Sequence, residues 1–456
     1  MRLPTVAVAV IVLVPCLGAS ASDRGELFSS YSPIDVSLKA PFDDLFAGAQ
    51  MDAEYTVAGT ISYRDASTGK NVTIDEVEIS VRGRTSKRET ECTFPKLKLR
   101  FSDAGSVKGS IFSGMKAVKI GTHCGEQADG DLTARFGRWA NEKAPVREAF
   151  IYRLLDVLGV RSFKARPARM TYLYEDSEPL VRGAMFLEDD REAMKRFGAD
   201  DEVEPPQFRD AARDFSPQDT AKLAFAEALI GNFDWCLKFF ADDTYRCDAR
   251  RPLWNIMAFA PKDGRAFPVM YDFDIAGMVV GRHRWFPEIF FDRFDGRSAP
   301  AVEVLAQVQH TRAVFPRAVL DATRRAFSDR KAAAFAALRD ATLDAEGRRV
   351  AEAYMNGFFD AIASDEQFYA AVVLRSGERI YLDAGRTKPA CPRDSTAPPG
   401  TLVGRPVGTD GTMINAPILD VQWKWTAPAP RCDAVHRGPV WIDRAAVGTD
   451  YPPLNR

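Results

Sequence analysis

Between residues 229 and 278 the chain presents an Asp, an Asn and an Asp-Phe-Asp triplet in that order. Asp234 ends the run Gly231-Asn232-Phe233-Asp234, Asn255 lies in an aromatic–aliphatic setting, and Asp272-Phe273-Asp274 follows the apolar run 267–271. One carboxylate to orient a hydroxyl, with an amide and a carboxylate to hold a divalent cation, is the set of side chains that phosphoryl transfer requires. Hard oxygen donors select magnesium or manganese rather than zinc. The plain alternative for Asp234 is local hydrogen bonding at a helix end, but a carboxylate there opposes the helix dipole, so another reason for it is expected. Asp272 follows a strand that reads as buried, where a carboxylate normally needs a metal or a cation. Asn255 would be the second metal contact, and Asp274 either a further ligand or part of the segment that follows. A lone DxD also suits a glycosyltransferase that holds a sugar nucleotide through a metal. That reading needs alternating strands and helices ahead of the DxD, and this chain has three successive strands there.

The elements that must position these residues follow from periodicity. Residues 54–63, 76–82, 95–101 and 115–121 alternate with period two, and the second and third of these form a hairpin across a polar loop. Pro145 opens a helix to residue 158, with Phe150, Leu154, Leu155 and Leu158 on one face and Gly159 after its end. Strands over 168–174 and 180–187 come next. Ser216 and Pro217 then start a helix that stops at Gly231. An aromatic-rich segment covers 285–294, and three helical patterns fill 301–362. Beyond residue 363 short β runs alternate with Pro/Gly-rich turns, which describes a small all-β module similar to bacterial SH3-like barrels.

Three strands, a helix, two strands and then helices around a catalytic stretch is the element order of a protein-kinase small lobe followed by its large lobe. In that frame Lys119, on the third strand, would reach the nucleotide phosphates and Glu148, early in the helix, would pair with it. The alternative is a surface lysine on an edge strand and a solvent-facing glutamate. Lys96 and Lys98 on the preceding strand compete for the same role. The hairpin loop has no GxGxxG but offers Arg82, Gly83, Arg84, Ser86 and Lys87, whose basic and hydroxyl groups can bind phosphate oxygens. The motifs Arg82-Gly83-x-x-Ser86, Pro95-Lys96-Leu97-Lys98 and Asp272-Phe273-Asp274 resemble those of atypical secreted kinases of the spore-coat protein H (CotH-like) class. Gly231-Asn232-Phe233-Asp234 looks like the G-N-x-D-x-H-x-x-N catalytic loop of HipA-type kinases. The resemblance spans about 76–280 and implies ATP- and Mg2+- or Mn2+-dependent transfer of phosphate to a protein Ser or Thr. The chain departs from the HipA pattern, with Cys236 in place of the His and Phe239 in place of the Asn, so Asn255 must serve from beyond an insertion.

Length and composition set the bounds. The chain has 456 residues, with 61 Lys and Arg against 63 Asp and Glu and no long basic cluster, which argues against nucleic acid as a partner. A basic start, the apolar run 6–17 and Ala19-Ser20-Ala21 make a secretory signal peptide, too short to span a bilayer. The expected location is therefore exported, periplasmic or secreted. Six cysteines remain past that segment, and the simplest of their fifteen pairings is Cys92–Cys124, Cys236–Cys247 and Cys391–Cys432. His123, His283, His310 and His436 are isolated, and neither GxSxG nor HExxH occurs.

The expectation is an α+β protein. It comprises a signal peptide (1–21), a β lead-in (22–75), a kinase-like N-lobe (76–190), a helical C-lobe (191–363) and an SH3-like domain (364–456). Rival readings are a pseudokinase that serves as a binding scaffold, and adenylylation on the same fold. The Cys-bounded insertion between Asp234 and Asn255 divides enzyme from pseudoenzyme.

Overall fold

A computed structural model describes residues 27–66, 68–83, 86–88, 92–102, 105–126, 143–174, 177–241, 252–281, 299–369, 372–374, 379–390, 402–403, 406–416 and 439–448. Seven strands close into a barrel: β1 (Ile34–Lys39), β2 (Thr56–Arg64), β3 (Asn71–Val81), β4 (Leu97–Phe101), β5 (Ala117–Gly121), β6 (Ala165–Leu173) and β7 (Leu180–Glu188), in the order β1-β2-β3-β4-β5-β7-β6. Neighbours pair antiparallel except β1 and β6, whose parallel pairing closes the ring. Residues 22–75, expected as a separate lead-in, are partly built into this barrel, and β3 itself crosses the expected boundary at 75/76. Closure hides the unpaired edge that three strands alone would have left open.

Alternation along the strands sorts their side chains. Leu97, Leu99, Val118 and Ile120 turn into the barrel core with Val77, Ile79 and Phe186. Lys98 is paired directly opposite Lys119 on the outer face, with Leu97 opposite Ile120 and Leu99 opposite Val118. That outer face meets a second, larger core. Helix α1 (Phe42–Met51) packs Phe42 and Leu45 on the barrel side, whereas α2 (Ala144–Leu158) belongs to the larger core. The expected apolar face of α2 is present, but Arg147, Glu148 and Tyr152 are buried as well, so no side of its first half faces solvent. Each large apolar side chain hidden this way contributes about 1.5–3 kcal/mol, which outweighs the modest propensity of the helix itself.

The larger core is built by α3 (Asp190–Phe197), α4 (Ala211–Asp214), α5 (Pro217–Ile230), α6 (Gly277–Val280), α7 (Ala299–His310), α8 (Arg317–Ser328), α9 (Lys331–Asp340) and α10 (Ala345–Ala361). Where three helical patterns were expected over 301–362, four helices stand. Short strands interrupt them: β8 (Asp201–Glu202), β9 (Cys236–Leu237), β10 (Leu253–Trp254), β11 (Ile256–Ala260) and β12 (Phe267–Met270). The α5 boundaries match expectation. Ser216 caps the helix by accepting from the Asp219 N–H, and Gly231 ends it with φ +62°. A Cβ at Gly231 would lie 2.2 Å from the Tyr354 ring, so both backbone and space require glycine there.

Arg147 ties α2 to α10. Its guanidinium donates to both Asp344 oxygens at 2.9 and 2.7 Å, to Glu346 at 2.9 Å and to the Val279 carbonyl at 2.9 Å. Asp344 is also the N-cap of α10.

Past α11 (Asp365–Phe368) the described strands form two three-stranded sheets, β14-β13-β18 and β15-β16-β17. Their elements are β13 (Val372–Leu374), β14 (Leu402–Val403), β15 (Gly408–Asp410), β16 (Met413–Ala416), β17 (Val440–Asp443) and β18 (Val447–Gly448). A small core of Ile380, Val403, Ile414, Val440 and Ile442 joins them. Cys92 and Cys124 form a disulfide. Cys236 is disulfide-bonded too, while Cys247, Cys391, Cys432, residues 1–21 and the aromatic run 285–294 lie outside the described residues. Among the described residues no helix is long and apolar enough to cross a membrane.

Candidate functional site

Asn255 immediately precedes β11, and Asp272 comes two residues after β12. Ile256 pairs with Met270, so the β11–β12 hairpin brings the two ends of that stretch together. The Tyr271 N–H then donates to the Asn255 carbonyl at 3.3 Å. Both Asn255 (φ +55°) and Asp272 (φ +63°) adopt the left-handed conformation, uncommon outside glycine and most tolerated by Asn and Asp.

Asp234 is anchored from this hairpin. Asn255 Nδ2 donates to its carbonyl at 2.5 Å and to Oδ2 at 3.0 Å, and Trp254 Nε1 donates to Oδ1 at 3.3 Å. Asn232 accepts the Asp234 N–H at 3.0 Å. An acid at the end of a helix ordinarily faces solvent, and Asp234 does not. Instead it is half-buried, because the insertion ends by folding Trp254 and Asn255 over it. Burial, then the charges of Asp272 and Asp274, push its carboxyl up to about 7.

Lys96 occupies the centre of the triplet. Its Nζ lies 2.8 Å from Asp272 Oδ1 and 2.9 Å from Asp274 Oδ2, with the lysine side chain 11% exposed. Burial alone would lower the ammonium, but Asp272, Asp274 and Glu148 more than offset it and the net shift is upward. Lys96 holds Asp272 low against the opposing effect of burial, whereas Asp274 is raised by burial and by Asp272.

Helix α2 grips the same triplet through its backbone. Glu148 Oε1 accepts the Phe273 N–H at 3.2 Å and the Tyr152 hydroxyl at 3.3 Å, and that hydroxyl accepts the Asp272 N–H at 3.1 Å. The Tyr152 and Phe273 rings pack 4.9 Å apart. Burial first, and then Asp274 and Asp272, raise the Glu148 carboxyl to about 8 against the pull of Lys96.

The structure therefore corrects the expected pairing of Lys119 with Glu148. Lys119 contacts Asp190 instead and lies 4.9 Å from the Phe163 ring centroid. Burial pushes its ammonium down, and Asp190 only partly restores it. Lys98 pairs with Asp189 at 2.5 Å. Burial would raise the Asp189 carboxyl, but Lys98 and then Lys119 hold it below the usual range. The physical reason is strand position. Lys96, at the mouth of the hairpin, faces the triplet, and Lys98 and Lys119 face the start of α3. The alternative of a solvent-facing Glu148 fails too, since it is 3% exposed.

In the hairpin loop, Ser86 is buried and its hydroxyl donates to the Arg82 carbonyl at 2.6 Å. Gly83 has φ +91°, and a Cβ there would sit 2.4 Å from Ser86 Oγ. Ser86 thus shapes the turn. The Arg82 charge is felt by Lys96, Asp272, Asp274 and Lys119, and its buried Nε has no hydrogen-bond partner among the described residues. Arg84 lies outside the described residues.

Sequence reading missed Tyr152, Trp254, Asp189 and Asp190. Tyr152 stands one turn after Glu148 on the same face, a spacing that puts two side chains together. Asp189-Asp190 follow an apolar strand just as Asp272 does, so the argument used for Asp272 also selects them.

The hard oxygen donors of Asp272, Asp274 and Asn255 are of the kind that suits magnesium or manganese. Among the described residues no group of three His, Cys, Asp or Glu side chains is arranged to hold a metal ion. Magnesium is typically held by one or two carboxylates with substrate phosphates completing its shell, so the donor set fits that ion.

No protein-family model matches the chain, and no curated protein matches it. Among solved structures it is similar to the crystal structure of a Helicobacter pylori proinflammatory kinase, CtkA. The identity is 8% and the TM-score 0.32, over 58% of this chain and 90% of that one. A likeness that distant does not decide a fold or an activity.

Proposed function

We propose that this chain is an exported, atypical kinase-like phosphotransferase of bilobal build. It would move the terminal phosphate of ATP, with Mg2+ or Mn2+, to a hydroxyl of a protein Ser or Thr. The observation that carries the reading is that Asp234 is held by Asn255 and feels the charges of Asp272 and Asp274, with Lys96, from much earlier in the chain, between those two carboxylates.

Asp234, raised to about 7, is suited to accept the proton of an attacking hydroxyl, since a base works best with a pKa near the working pH. Asn255 spends its Nδ2 on Asp234, which orients that carboxylate and leaves its own oxygen for a cation. Asp272 and Asp274 would be the carboxylate ligands. A bound divalent cation would neutralise charge on the transferring phosphate. Lys96 would hold phosphate oxygens, the role first expected of Lys119, and Arg82 would assist it. Glu148 and Tyr152 would fix the Asp272 backbone. The disulfide and the leader-like start support export.

ATP labelled at the γ- or the α-phosphate tests this reading. Transfer of γ-label to protein, lost in Asp234→Ala, is expected. Transfer of α-label would establish adenylylation instead, and no transfer of either would favour a binding scaffold.

A further inference from the structure

The connection between β3 and β4 carries, at its two ends, the cations that act on the triplet. Arg82 leaves β3, Lys96 enters β4, and the Arg82 N–H donates to the Lys96 carbonyl at 2.8 Å. Lys96 contacts Asp272 and Asp274 directly, and the Arg82 charge reaches both. No hydrogen bond from the buried Arg82 Nε seats that side chain among the described residues, so its place depends on the backbone that carries it. The described residues of the connection belong to no helix or strand. Such a segment samples many arrangements unless something outside it fixes it.

Two braces from outside hold it. The first is the end of α1. Gln50 Nε2 donates to the Lys87 carbonyl at 2.7 Å, and Lys87 Nζ donates to the Ala53 carbonyl at 2.8 Å. Ser86 passes this anchorage on, since its hydroxyl donates to the Arg82 carbonyl. Lys87, expected among the phosphate-binding side chains, thus spends its ammonium on the segment after α1. The second brace is the Cys92–Cys124 disulfide, which ties the run into Lys96 to the residues after β5. The Thr93 N–H donates to the Cys124 carbonyl at 2.9 Å and the Thr122 hydroxyl to the Phe94 carbonyl at 2.8 Å, which reinforces it. One brace is a pair of exposed hydrogen bonds, of little weight in the stability of the whole fold. The other is covalent, and both its cysteines are buried.

We infer that Gln50, Lys87, Cys92 and Cys124 are positioning residues for the nucleotide, because their two braces hold the β3–β4 connection where Arg82 and Lys96 meet the phosphates. This rests on the phosphoryl-transfer reading above. Lys87 acts through Arg82 and does not itself touch phosphate. Affinity for nucleotide then depends on the oxidised state of Cys92–Cys124. A dithiol reductant breaks that S–S bond by giving it two electrons and two protons, which leaves two thiols, and itself closes to a disulfide.

Calorimetric titration of ATP in the presence of Mg2+, and turnover of labelled ATP, test this on the whole chain. Gln50→Ala and Lys87→Met should each weaken ATP binding about five- to tenfold, less than the ~10²-fold that an ångström of misplacement can cost. KM for ATP should rise with the loss of binding, while kcat at saturating ATP is kept and the melting temperature stays within a few degrees of wild type. Both contacts seat the same residue, so the double variant should lose less than the product of the two single losses. Dithiothreitol should weaken ATP binding to wild type about tenfold. The Cys92→Ser/Cys124→Ser protein should be as weak without reductant and no weaker with it, which separates this bond from the one at Cys236.

Wild-type affinity in both Gln50→Ala and Lys87→Met would overturn the proposal. A loss in Lys87→Met with none in Gln50→Ala would make Lys87 a direct phosphate ligand and overturn it as well. So would an ATP affinity indifferent both to dithiothreitol and to the paired serine changes. If the serine variant does not fold, Gln50→Ala and Lys87→Met decide by themselves. Each of these outcomes leaves the phosphotransferase reading standing. Failure of wild type to bind ATP with any divalent metal would remove that reading, and this inference with it.

Discussion

Two acid–base clusters line the same outer face of the barrel, and they are built differently. At one end Lys98 and Lys119, opposed across neighbouring strands, each have their own aspartate, Asp189 and Asp190. At the other end Lys96 faces Asp272 and Asp274 together, with Glu148 close behind. The first cluster balances two cations with two anions and joins the barrel to the start of α3. The second has more carboxylates than cations, and two of its neighbours, Asn255 and Asp272, hold left-handed backbones. Self-contained pairs are what an interface between elements needs. Carboxyl groups with perturbed proton affinity sharing one lysine on a strained backbone are what a ligand site needs.

The largest effect expected from breaking this contrast is at Asp234. Asp234→Ala should lower the turnover of labelled ATP by about 10²–10⁴-fold, the range for losing a positioned base, while leaving the melting temperature within a few degrees of wild type. Preserved turnover would remove the base from the account. Next come the lysines. Lys96→Met should abolish turnover to a similar extent, whereas Lys119→Met should mainly lower stability, by about 1–3 kcal/mol in denaturant titrations, with activity reduced much less. The reverse ranking would reinstate the pairing of Lys119 with Glu148.

A smaller effect reaches the triplet through α2. Arg147→Met removes the contacts to Asp344 and Glu346 and should cost about 1–3 kcal/mol, because Arg147 is buried but its partners are partly exposed. It should also raise the metal concentration needed for half-maximal activity, since the helix bearing Glu148 and Tyr152 is loosened. A change in stability with no change in metal dependence would show that α2 does not govern the triplet.

The pH dependence should be the subtlest difference. Asp234 is raised to about 7 in the folded chain from an ordinary 3.8, first by burial and then by Asp272 and Asp274. The base must be unprotonated, so kcat/KM, which reports the free enzyme, should fall as the pH drops below about 7 and level off above it. The stability effect has the opposite sign. Above about 3.8 the folded state retains a proton that the unfolded chain has released, so this contribution weakens as pH rises toward 7. A profile flat through pH 7 would show that Asp234 does not titrate in the rate-determining state.

Much of the scaffold could be read from local signals. The cap at Ser216, the stop at Gly231 and the start of α2 at Pro145 depend on residues close to one another in sequence, and each stands where expected. Barrel closure was not legible. It depends on the pairing of β1 with β6, more than a hundred residues apart, which no local periodicity encodes. At the site, residue types were legible and partners were not. Period-two alternation puts Lys96, Lys98 and Lys119 on one face but does not say which carboxylate arrives beside each. The half-burial of Asp234 was hidden for the same reason, since Trp254 and Asn255 return to it across an insertion.

The most direct test compares two isosteric changes, one in each cluster. Calorimetric titration of ATP in the presence of Mn2+ should show binding lost in Asp272→Asn and kept within about fivefold of wild type in Asp190→Asn, the low end of what coupling between distinct sites produces. Loss of binding in Asp190→Asn with retention in Asp272→Asn would place the ligand at the other end of the barrel face and contradict the account.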